Sequence, residues 1–248
     1  MSHRLAGVTA VVTGAAGGLG TAIATRLADE GASVAALDLH RNHNPYPGEG
    51  PGSISTWTCD VTDRTAIRTT VTQVADHLGG IDVLVNNAGL LSGRSSLLNA
   101  TSEDLHRYYA VNAVGPLLMV QTCFPYLRDS AHRGRVINVA SRTFFTGAPG
   151  QIAYIASKGA LIGMTRVMAR ELGEHRICVN AVMPAQIATP GTRAHSDDEV
   201  FTRTMAQQAI QEFVSPEDFA GLVAFLASAD GRLVTGQSLV CDGGSLLR

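Results

Sequence analysis

Short apolar runs alternate with helical segments along nearly the whole chain, and this alternation limits the possible folds most strongly. Seven runs of the kind found in buried strands occur, at residues 8–12, 33–39, 54–59, 81–85, 135–139, 178–182 and 238–240. Apolar residues at helical spacing predict helices at residues 19–28, 64–78, 102–128, 153–172 and 216–227. Because crossover helices connect parallel strands with one handedness, the pattern predicts an α/β fold. We expect a Rossmann-type, doubly wound parallel sheet of about seven strands with helices on both faces.

The chain has 248 residues and shows neither an internal repeat nor a linker long enough to separate two domains. We therefore predict a single domain, 1–248, with a polar, charged substrate lid inserted at about 185–213. One connection departs from the alternation. Residues 41–52 are rich in proline and glycine, a composition that excludes a helix, so we expect a loop between the second and third strands.

The overall composition excludes several classes of partner. A net charge of -2 gives no reason to expect nucleic acid or an anionic membrane. The sequence contains no run of 18 apolar residues, so we predict no membrane span. The N-terminal residues lead directly into the first predicted strand, and we expect no signal peptide. The four cysteines, at positions 59, 123, 178 and 241, lack metal-binding spacing, and the histidines fit a solvated surface. We expect a cytoplasmic protein with reduced thiols and no metal site.

A glycine-rich loop, Thr13-Gly14-Ala15-Ala16-Gly17-Gly18-Leu19-Gly20, follows the first predicted strand and opens the first helix. Glycines at such a place let the backbone approach a pyrophosphate at the helix N-terminus, although an ordinary strand–helix turn would look similar. Asp38 ends the second predicted strand. A carboxylate there would accept hydrogen bonds from ribose hydroxyls and repel a 2′-phosphate, unless Asp38 is only a turn or capping residue.

Tyr154 and Lys158 are the strongest candidates for catalysis. A separation of four residues puts both side chains on one face of a helix. A nearby ammonium would lower the pKa of the Tyr154 phenol and make it usable as an acid or base. Of the 19 lysine and arginine residues, only Lys158 is a lysine, so a compact ammonium is used here alone.

Several motifs in this order resemble the short-chain dehydrogenase/reductase family over essentially the whole chain. The matching pieces are Thr13-Gly14-x-x-x-Gly18-x-Gly20, Asp60-Val61, Asn86-Asn87-Ala88-Gly89, Asn112, Ser141, Tyr154-x-x-x-Lys158 and Asn180-x-x-x-Pro184.

For the cofactor, the resemblance implies contacts beyond Gly14, Gly18, Leu19 and Gly20 of the loop. Asp60 and the Val61 backbone would meet the adenine, and Asn87 would lie along the adenine ribose. Ile187 and Thr189 would contact the nicotinamide carboxamide.

For the chemistry, the resemblance implies reversible hydride transfer between a nicotinamide and a carbinol carbon. Tyr154 would be the general acid or base, Ser141 would hold the substrate oxygen, and Lys158 would bind the nicotinamide ribose. Asn112 would hold a water in a proton relay to Lys158; its alternative role is a helix-packing amide.

Cofactor preference depends on the surroundings of Asp38. Members of the family that use NADP commonly carry a basic residue in the glycine motif or just after the second strand. Ala16 and Gly17 are neutral, and Arg41 lies three residues beyond Asp38, so we expect NAD. Arg41 could still neutralise Asp38 or bind the phosphate.

The substrate pocket is expected from residues 142–151 and from the stretch after Pro184. Ala185 replaces the family's usual glycine and would narrow the space beside the nicotinamide. Phe144 and Phe145 would form an apolar wall, or serve as core or subunit-contact residues. Arg142 would meet a carboxylate or phosphate, or remain solvated. Tyr108 is expected to be a packing residue.

The leading functional interpretation is an NAD-dependent secondary-alcohol dehydrogenase acting on a small-molecule alcohol or ketone. An NADPH-dependent ketone or 3-oxoacyl reductase is the alternative, which Asp38 disfavours. A lyase-type relative such as a halohydrin dehalogenase would lack the glycine motif and the lysine, and a non-catalytic dinucleotide sensor would not need the intact catalytic residues. The family resemblance also implies a homodimer or homotetramer, assembled through helices 102–128 and 153–172 and the C-terminal segment.

Overall fold

A computed structural model describes residues 3–40, 46–91 and 95–247. Its strands, all parallel, are β1 (Thr9–Thr13), β2 (Ser33–Asp38), β3 (Ser53–Thr58), β4 (Val83–Asn86), β5 (Arg135–Val139), β6 (Cys178–Pro184) and β7 (Ser238–Cys241). They form one sheet in the order β3-β2-β1-β4-β5-β6-β7. The predicted seven-stranded, doubly wound fold is confirmed.

The helices follow the strands in the predicted alternation. They are α1 (Gly18–Asp29), α2 (Arg64–Leu78), α3 (Ser102–Tyr109), α4 (Gly115–Asp129), α5 (Thr143–Thr146), α6 (Ile152–Glu171), α7 (Pro190–Arg193), α8 (Asp198–Ala206) and α9 (Pro216–Ala227). Short 3-10 turns occur at Leu97–Asn99, Leu172–His175 and Ala229–Gly231.

Two apolar cores lie on opposite faces of the sheet. Ile23 and Leu27 of α1 pack with Phe219 and Val223 of α9 on one face. On the other face, α2, α4 and α6 bury residues such as Val71, Met119 and Met168. Because neighbouring residues of a strand point to opposite faces, Ala10 and Val12 join the first core while Val11 joins the second. The central strands are buried on both sides, which explains their continuous apolar sequences.

The cysteines fit the expectation of reduced thiols. All four are free, and Cys59, Cys123 and Cys178 are buried. Within the described ranges, no cluster of three or more histidine, cysteine or acidic residues could hold a metal ion.

The segment predicted as one helix at 102–128 is divided into three parts. The turn Ala110–Val114 between α3 and α4 is π-helical, so the single-helix prediction is wrong in its middle. Such turns insert one residue into the helical repeat and are frequent at functional sites. By length and composition alone, Ser102–Asp129 could cross a membrane, but half of its most apolar window is buried inside the protein. That burial is typical of a core helix.

The connection between β2 and β3 contains no helix over residues 46–52, as predicted. The loop instead packs directly against α1. Gly50 N–H donates to Asp29 Oδ1 at 2.9 Å, Gly52 N–H donates to Ala28 O at 3.0 Å, and Tyr46 contacts the first core. The glycines therefore bring the backbone close to α1 in the place where a crossover helix would lie.

The two helices expected at a subunit interface are less exposed than the sequence suggested. Met119, Leu161 and Ile162 are buried within the chain, whereas Val167 is 56% exposed on the outer face of α6. Together with Ile152, which is 44% exposed at the start of α6, Val167 is a small part of what a second subunit would cover, so assembly remains a prediction.

We expect the protein to be a homodimer or homotetramer that Val167→Asp weakens, because the charge would be buried at the interface. Light scattering at micromolar concentration would measure the mass of the wild type and the variant. Leu98→Asp, which changes a 92% exposed leucine outside α6, is the matched control. A wild-type mass near the 26.0 kDa of one chain would contradict the prediction.

Candidate active site

A cavity of about 640 Å³ opens at the carboxyl edge of the sheet. The sequence-predicted residues that line it are Gly14, Gly18, Leu19, Gly20, Asp38, Asp60, Val61, Asn87, Ser141, Tyr154, Lys158, Ile187 and Thr189. Asn112 is fully buried behind this wall. The cavity lies where open α/β sheets bind ligands, because the chain leaves β1 and β4 in opposite directions there.

The glycine loop brings the backbone to the cavity surface. A Cβ atom on Gly20 would lie 2.1 Å from Gly14 O and 2.8 Å from Asn87 Nδ2, so no larger residue fits. Helix α1 starts at Gly18, and its N-cap Gly17 has no side chain to satisfy the first backbone N–H groups. This leaves the positive end of the helix dipole facing the cavity, as an anionic pyrophosphate requires.

Asp38 is fixed by the glycine loop. Its Oδ2 accepts a hydrogen bond from Ala16 N–H at 2.9 Å, and Oδ1 accepts a longer one from His40 N–H at 3.4 Å. The carboxylate therefore stands at the cavity surface beside the loop and carries the negative charge expected there. Arg41, which bears on cofactor preference, lies outside the described residues.

At the next strand ends, polar side chains organise the loops that follow. Asp60 Oδ1 accepts hydrogen bonds from both Thr62 N–H and Thr62 Oγ1, at 2.8 and 2.7 Å. Asn87 Nδ2 donates to Thr13 O and Gly14 O, each at 2.9 Å. The Asn87 amide nitrogen thus joins β4 to the glycine loop, in addition to lining the cavity.

The lid segment contacts the glycine loop directly. A Cβ atom on Gly18 would lie 2.8 Å from the Thr189 Cβ, so the two segments are in close contact. Thr189 caps α7: its Oγ1 accepts from Thr192 N–H, and its own N–H donates to Thr192 Oγ1 at 2.8 Å. Thr192 Oγ1 also donates to Ile187 O at 2.7 Å. These hydrogen bonds fix the first turn of the segment predicted as a lid, whose contact with the glycine loop is the close packing of Thr189 against Gly18.

Ser141 and Tyr154 meet on the other side of the cavity. A hydrogen bond from Ser141 lowers the pKa of the Tyr154 phenol, but the larger effect of burial raises it above its usual value. Ser141 Oγ also lies 2.7 Å from Thr143 Oγ1. The Tyr108 ring packs edge-on against Tyr154, with centroids 6.4 Å apart.

Tyr108 and Thr143 are contacts of the catalytic pair that the sequence did not identify. Tyr108 was expected only to pack. Its hydroxyl donates to Leu91 O at 3.0 Å, so it also fixes the loop after β4. The sequence signal for Tyr108 was its position four residues before Asn112, because residues at this spacing lie on one face of a helix.

Lys158 is buried, and its ammonium donates to Val139 O at 2.7 Å. Burial lowers the pKa of Lys158 to about 8. The sequence predicted that Lys158 would lower the pKa of Tyr154, but in this structure the pKa of Tyr154 is raised and Lys158 is not among its causes. The reason is that desolvation outweighs the hydrogen bond from Ser141, while the ammonium is bound to the β5 backbone.

Asn112 is held in the π-helical turn by three hydrogen bonds. Its Oδ1 accepts from Leu90 N–H at 2.9 Å, and its Nδ2 donates to Leu90 O at 3.3 Å and to Ser157 Oγ at 3.0 Å. This side chain connects α6, one residue before Lys158, with the loop after β4. Both Nδ2 hydrogens and one of the two acceptor positions of Oδ1 are thus engaged with protein atoms, and the relay water stays a prediction.

Of the two roles expected for Phe144 and Phe145, the structure shows packing within the chain and not an apolar wall of the cavity. The two rings pack edge-on at 4.9 Å, Phe145 joins a small core, and Phe144 lies against Gly159 of α6. Polar lining residues outside the predicted set include Arg142, Thr143, Gln151, Gln186, His195 and Ser196, and apolar residues such as Leu90, Leu91 and Val139 line the same cavity. Ala185 also lines the cavity at the expected place and is 9% exposed.

The residues present fit a nicotinamide dinucleotide. The cavity combines a glycine loop at its surface, a helix N-terminus, a carboxylate at the end of β2 and a phenol–serine pair. A dinucleotide needs these groups in one continuous cleft, and the cavity supplies them in that order.

The depressed pKa of Lys158 has a consequence for stability. Between pH 8 and its usual value of 10.5, the lysine binds more protons in the unfolded chain than in the folded one, so stability rises with pH in that window. Relative to Lys158→Met, the free energy of unfolding of the wild type should increase by about 2 kcal/mol from pH 7 to 10.

Urea unfolding of both proteins across this pH range measures the effect. Arg166→Met is the control, because Arg166 is exposed and an arginine does not titrate in this range. Parallel pH profiles for the wild type and Lys158→Met would contradict the assigned pKa.

Comparisons with known proteins agree with this geometry. A family model described as Enoyl-(Acyl carrier protein) reductase matches residues 14–245. A 3-oxoacyl-[acyl-carrier-protein] reductase of Thermotoga maritima is 37% identical, with 98% of this chain and 100% of the relative covered. A human (3R)-3-hydroxyacyl-CoA dehydrogenase is also 37% identical, over 98% of this chain and 97% of the relative.

Two solved structures share the fold at a similar level. A short chain dehydrogenase from Burkholderia cenocepacia in complex with NADP has a TM-score of 0.83 at 33% identity, covering 98% of this chain and 99% of that one. A dehydrogenase/reductase from Sinorhizobium meliloti has a TM-score of 0.87 at 35% identity, covering 99% and 98%. The chain therefore belongs to the short-chain dehydrogenase/reductase family and is a nicotinamide-dependent oxidoreductase of alcohols and ketones.

Proposed function

We propose that the protein is an NAD-dependent dehydrogenase that interconverts a secondary alcohol and its ketone. The observation that carries this proposal is that the Asp38 carboxylate and the glycine loop line the same cavity as Ser141, Tyr154 and Lys158. When bound, the cofactor supplies or accepts the hydride at nicotinamide C4. The residues of the chain orient the substrate and move its proton.

Tyr154 is the general base in alcohol oxidation and the general acid in ketone reduction. Ser141, hydrogen-bonded to the phenol, holds the substrate oxygen within reach of the same proton. Thr143 lies 2.7 Å from Ser141 Oγ and fixes the direction of that hydroxyl. The raised pKa of Tyr154 keeps its proton in place for ketone reduction, and a positive charge nearby is needed before it acts as a base.

Lys158 is the cation available for that purpose. Its ammonium is bound at the carboxyl end of β5 and lines the cavity, where it would bind ribose hydroxyls and favour the phenolate of Tyr154. Asn112, through Ser157 and Leu90, positions the helix that carries Lys158 and the loop opposite it.

Asp38 supports NAD over NADP. Its carboxylate occupies the region that a 2′-phosphate would enter, and two like charges about 4 Å apart cost on the order of 4 kcal/mol at an effective dielectric of 20. Even a third of that energy gives about a tenfold preference. The hydrogen bond from Ala16 N–H holds the carboxylate in place, and moving the carboxylate away from a 2′-phosphate would break this bond.

An NADPH-dependent ketone or 3-oxoacyl reductase is the second candidate. The T. maritima relative has the name of a 3-oxoacyl reductase, and the B. cenocepacia structure is a complex with NADP. The first supports reduction of a ketone, and the second supports the other cofactor. For either function, we propose a cytoplasmic enzyme, with a small-molecule substrate and a homodimeric or homotetrameric assembly.

Replacing Tyr154 with phenylalanine keeps the ring and removes the proton donor. Activity should fall at least ~100-fold, the lower range for lost acid–base catalysis, while NADH binding changes little. Steady-state rates over an alcohol panel and NADH fluorescence titration measure the two effects. Tyr126→Phe, a partly exposed tyrosine outside the cavity, is the matched control; normal turnover by Tyr154→Phe would refute the assigned role.

Cofactor preference distinguishes the two candidate functions. The wild type should use NAD at least ~10-fold better than NADP in kcat/KM, and Asp38→Ala should narrow that ratio by removing the like charge. Asp60→Asn is the control, because an adenine contact common to both cofactors should leave their ratio unchanged. Equal or better use of NADPH by the wild type would overturn the NAD assignment and favour the reductase.

A further inference from the structure

Arg142 directly follows Ser141 and lines the same cavity, with a side chain only 12% exposed. Burial lowers the pKa of its guanidinium, which stays charged at neutral pH. A desolvated cation beside the reacting groups is unusual enough to require a partner.

The partner within the chain is incomplete. Arg142 Nη1 donates to Ser245 Oγ at 2.8 Å and lies 3.7 Å from Asp242 Oδ2, beyond hydrogen-bond distance. Asp242 Oδ2 is buried without a hydrogen bond in the structure. Within the described part of the chain, Arg142 forms its hydrogen bonds through Nη1 alone, so Nε and Nη2 are available.

A structural ion pair elsewhere in the chain provides the comparison. Arg4 binds Glu30 through two parallel hydrogen bonds, from Nε at 2.9 Å and from Nη2 at 2.8 Å. The Arg142 pair has no such fork. An arginine that served only to anchor the C-terminal segment would gain more by facing Asp242 with two nitrogens.

The surroundings of Arg142 suit a polar substrate that bears a negative charge. The cavity lining includes hydroxyl, amide and imidazole side chains, among them that of Thr143 next to Arg142 in sequence, and the Phe144 and Phe145 rings pack elsewhere. Among the described lining residues, the carboxylates are Asp38 and Asp60, both at the opposite, adenine end. An anion in the cavity near Arg142 would therefore meet the free donors Nε and Nη2, while the carboxylate closest to the guanidinium, that of Asp242, is buried and does not line the cavity.

We propose that Arg142 is a specificity-determining residue that binds a carboxylate of the substrate through Nε and Nη2. The substrate class is then a short hydroxy acid, or the matching keto acid, in which the carboxylate lies close to the carbinol carbon. This inference rests on the proposed function, because it assigns the substrate of the same site. Planar carboxylates match the fork of a guanidinium better than they match an ammonium.

The test compares acids with neutral analogues of similar size. Wild type, Arg142→Met and Arg142→Lys are assayed for oxidation of 2-hydroxybutyrate, 3-hydroxybutyrate and the methyl ester of each. The wild type should prefer one of the acids over its ester at least ~10-fold in kcat/KM, as expected for a charge-assisted pair. In Arg142→Met this acid-to-ester ratio should fall at least ~10-fold, mainly through KM, and Arg142→Lys should be intermediate.

Ser245→Ala is the matched control, because it removes the hydrogen bond to the C-terminal segment and leaves the guanidinium in place. It should keep the acid-to-ester ratio of the wild type. A ratio that falls equally in Ser245→Ala and Arg142→Met would assign Arg142 to anchoring the segment and overturn the inference. NADH binding and thermal melting of every variant identify misfolding. If Arg142→Met is unfolded, the acid-to-ester ratios of Arg142→Lys and of the wild type decide whether Arg142 binds the carboxylate.

Failure of this inference and failure of the proposed function give different results. A wild type that oxidises the esters or other neutral secondary alcohols in preference to the acids overturns the inference and leaves the proposed function intact. Oxidation of neither acid by an enzyme that binds NADH also overturns it. A wild type that binds no nicotinamide cofactor and oxidises no secondary alcohol would overturn the proposed function itself.

Discussion

The junction between β1 and β4 is the contact on which the site depends. Thr13 Oγ1 accepts hydrogen bonds from Asn87 N–H and Ala88 N–H at 3.1 and 3.0 Å, and Asn87 Nδ2 donates back to Thr13 O and Gly14 O. These bonds hold together two strand ends from which the chain departs to opposite sides. In this class of sheet the ligand binds in the crevice between such strand ends. The hydrogen bonds of Thr13 and Asn87 therefore fix the glycine loop against the loop that follows β4.

A second cluster of hydrogen bonds connects this junction with the catalytic residues. Asn112 connects Leu90, three residues beyond Asn87, with Ser157, which directly precedes Lys158. Because Asn112 lies in a π-helical turn, its side chain is displaced from the regular helical repeat towards these partners. The irregular turn is therefore explained by the position that the amide must reach, and the local cost in helix regularity is offset by three hydrogen bonds.

The sequence predicted the parts of the molecule that short-range patterns determine. Strand runs, the glycine loop, the missing helix before β3 and the Tyr154–Lys158 spacing follow from apolar periodicity and from the chemistry of glycine and proline. It did not predict the π-helical turn, since one inserted residue leaves the apolar pattern of 102–128 almost unchanged. It left two roles open for Phe144 and Phe145, because whether a ring faces the cavity or α6 depends on contacts with distant residues. Asp242 and Ser245 are about a hundred positions from Arg142, and no local pattern indicates that they meet.

The electrostatics of Lys158 and Tyr154 show why sequence spacing alone gave the wrong sign for a pKa. Spacing brings the two residues to one helix face, but burial acts on each side chain separately and favours both neutral forms. The folded chain thus carries an ammonium that would be more stable in water and a phenol that resists ionisation. Hydroxyl groups placed between them relieve both penalties together, because a hydroxyl accepts a hydrogen bond from the ammonium and donates one to the phenolate. We therefore expect cofactor binding to favour ionisation of Tyr154, because the two side chains share the same desolvated space. The burial that lowers the pKa of Lys158 to about 8 also strengthens the electrostatic interactions in that space.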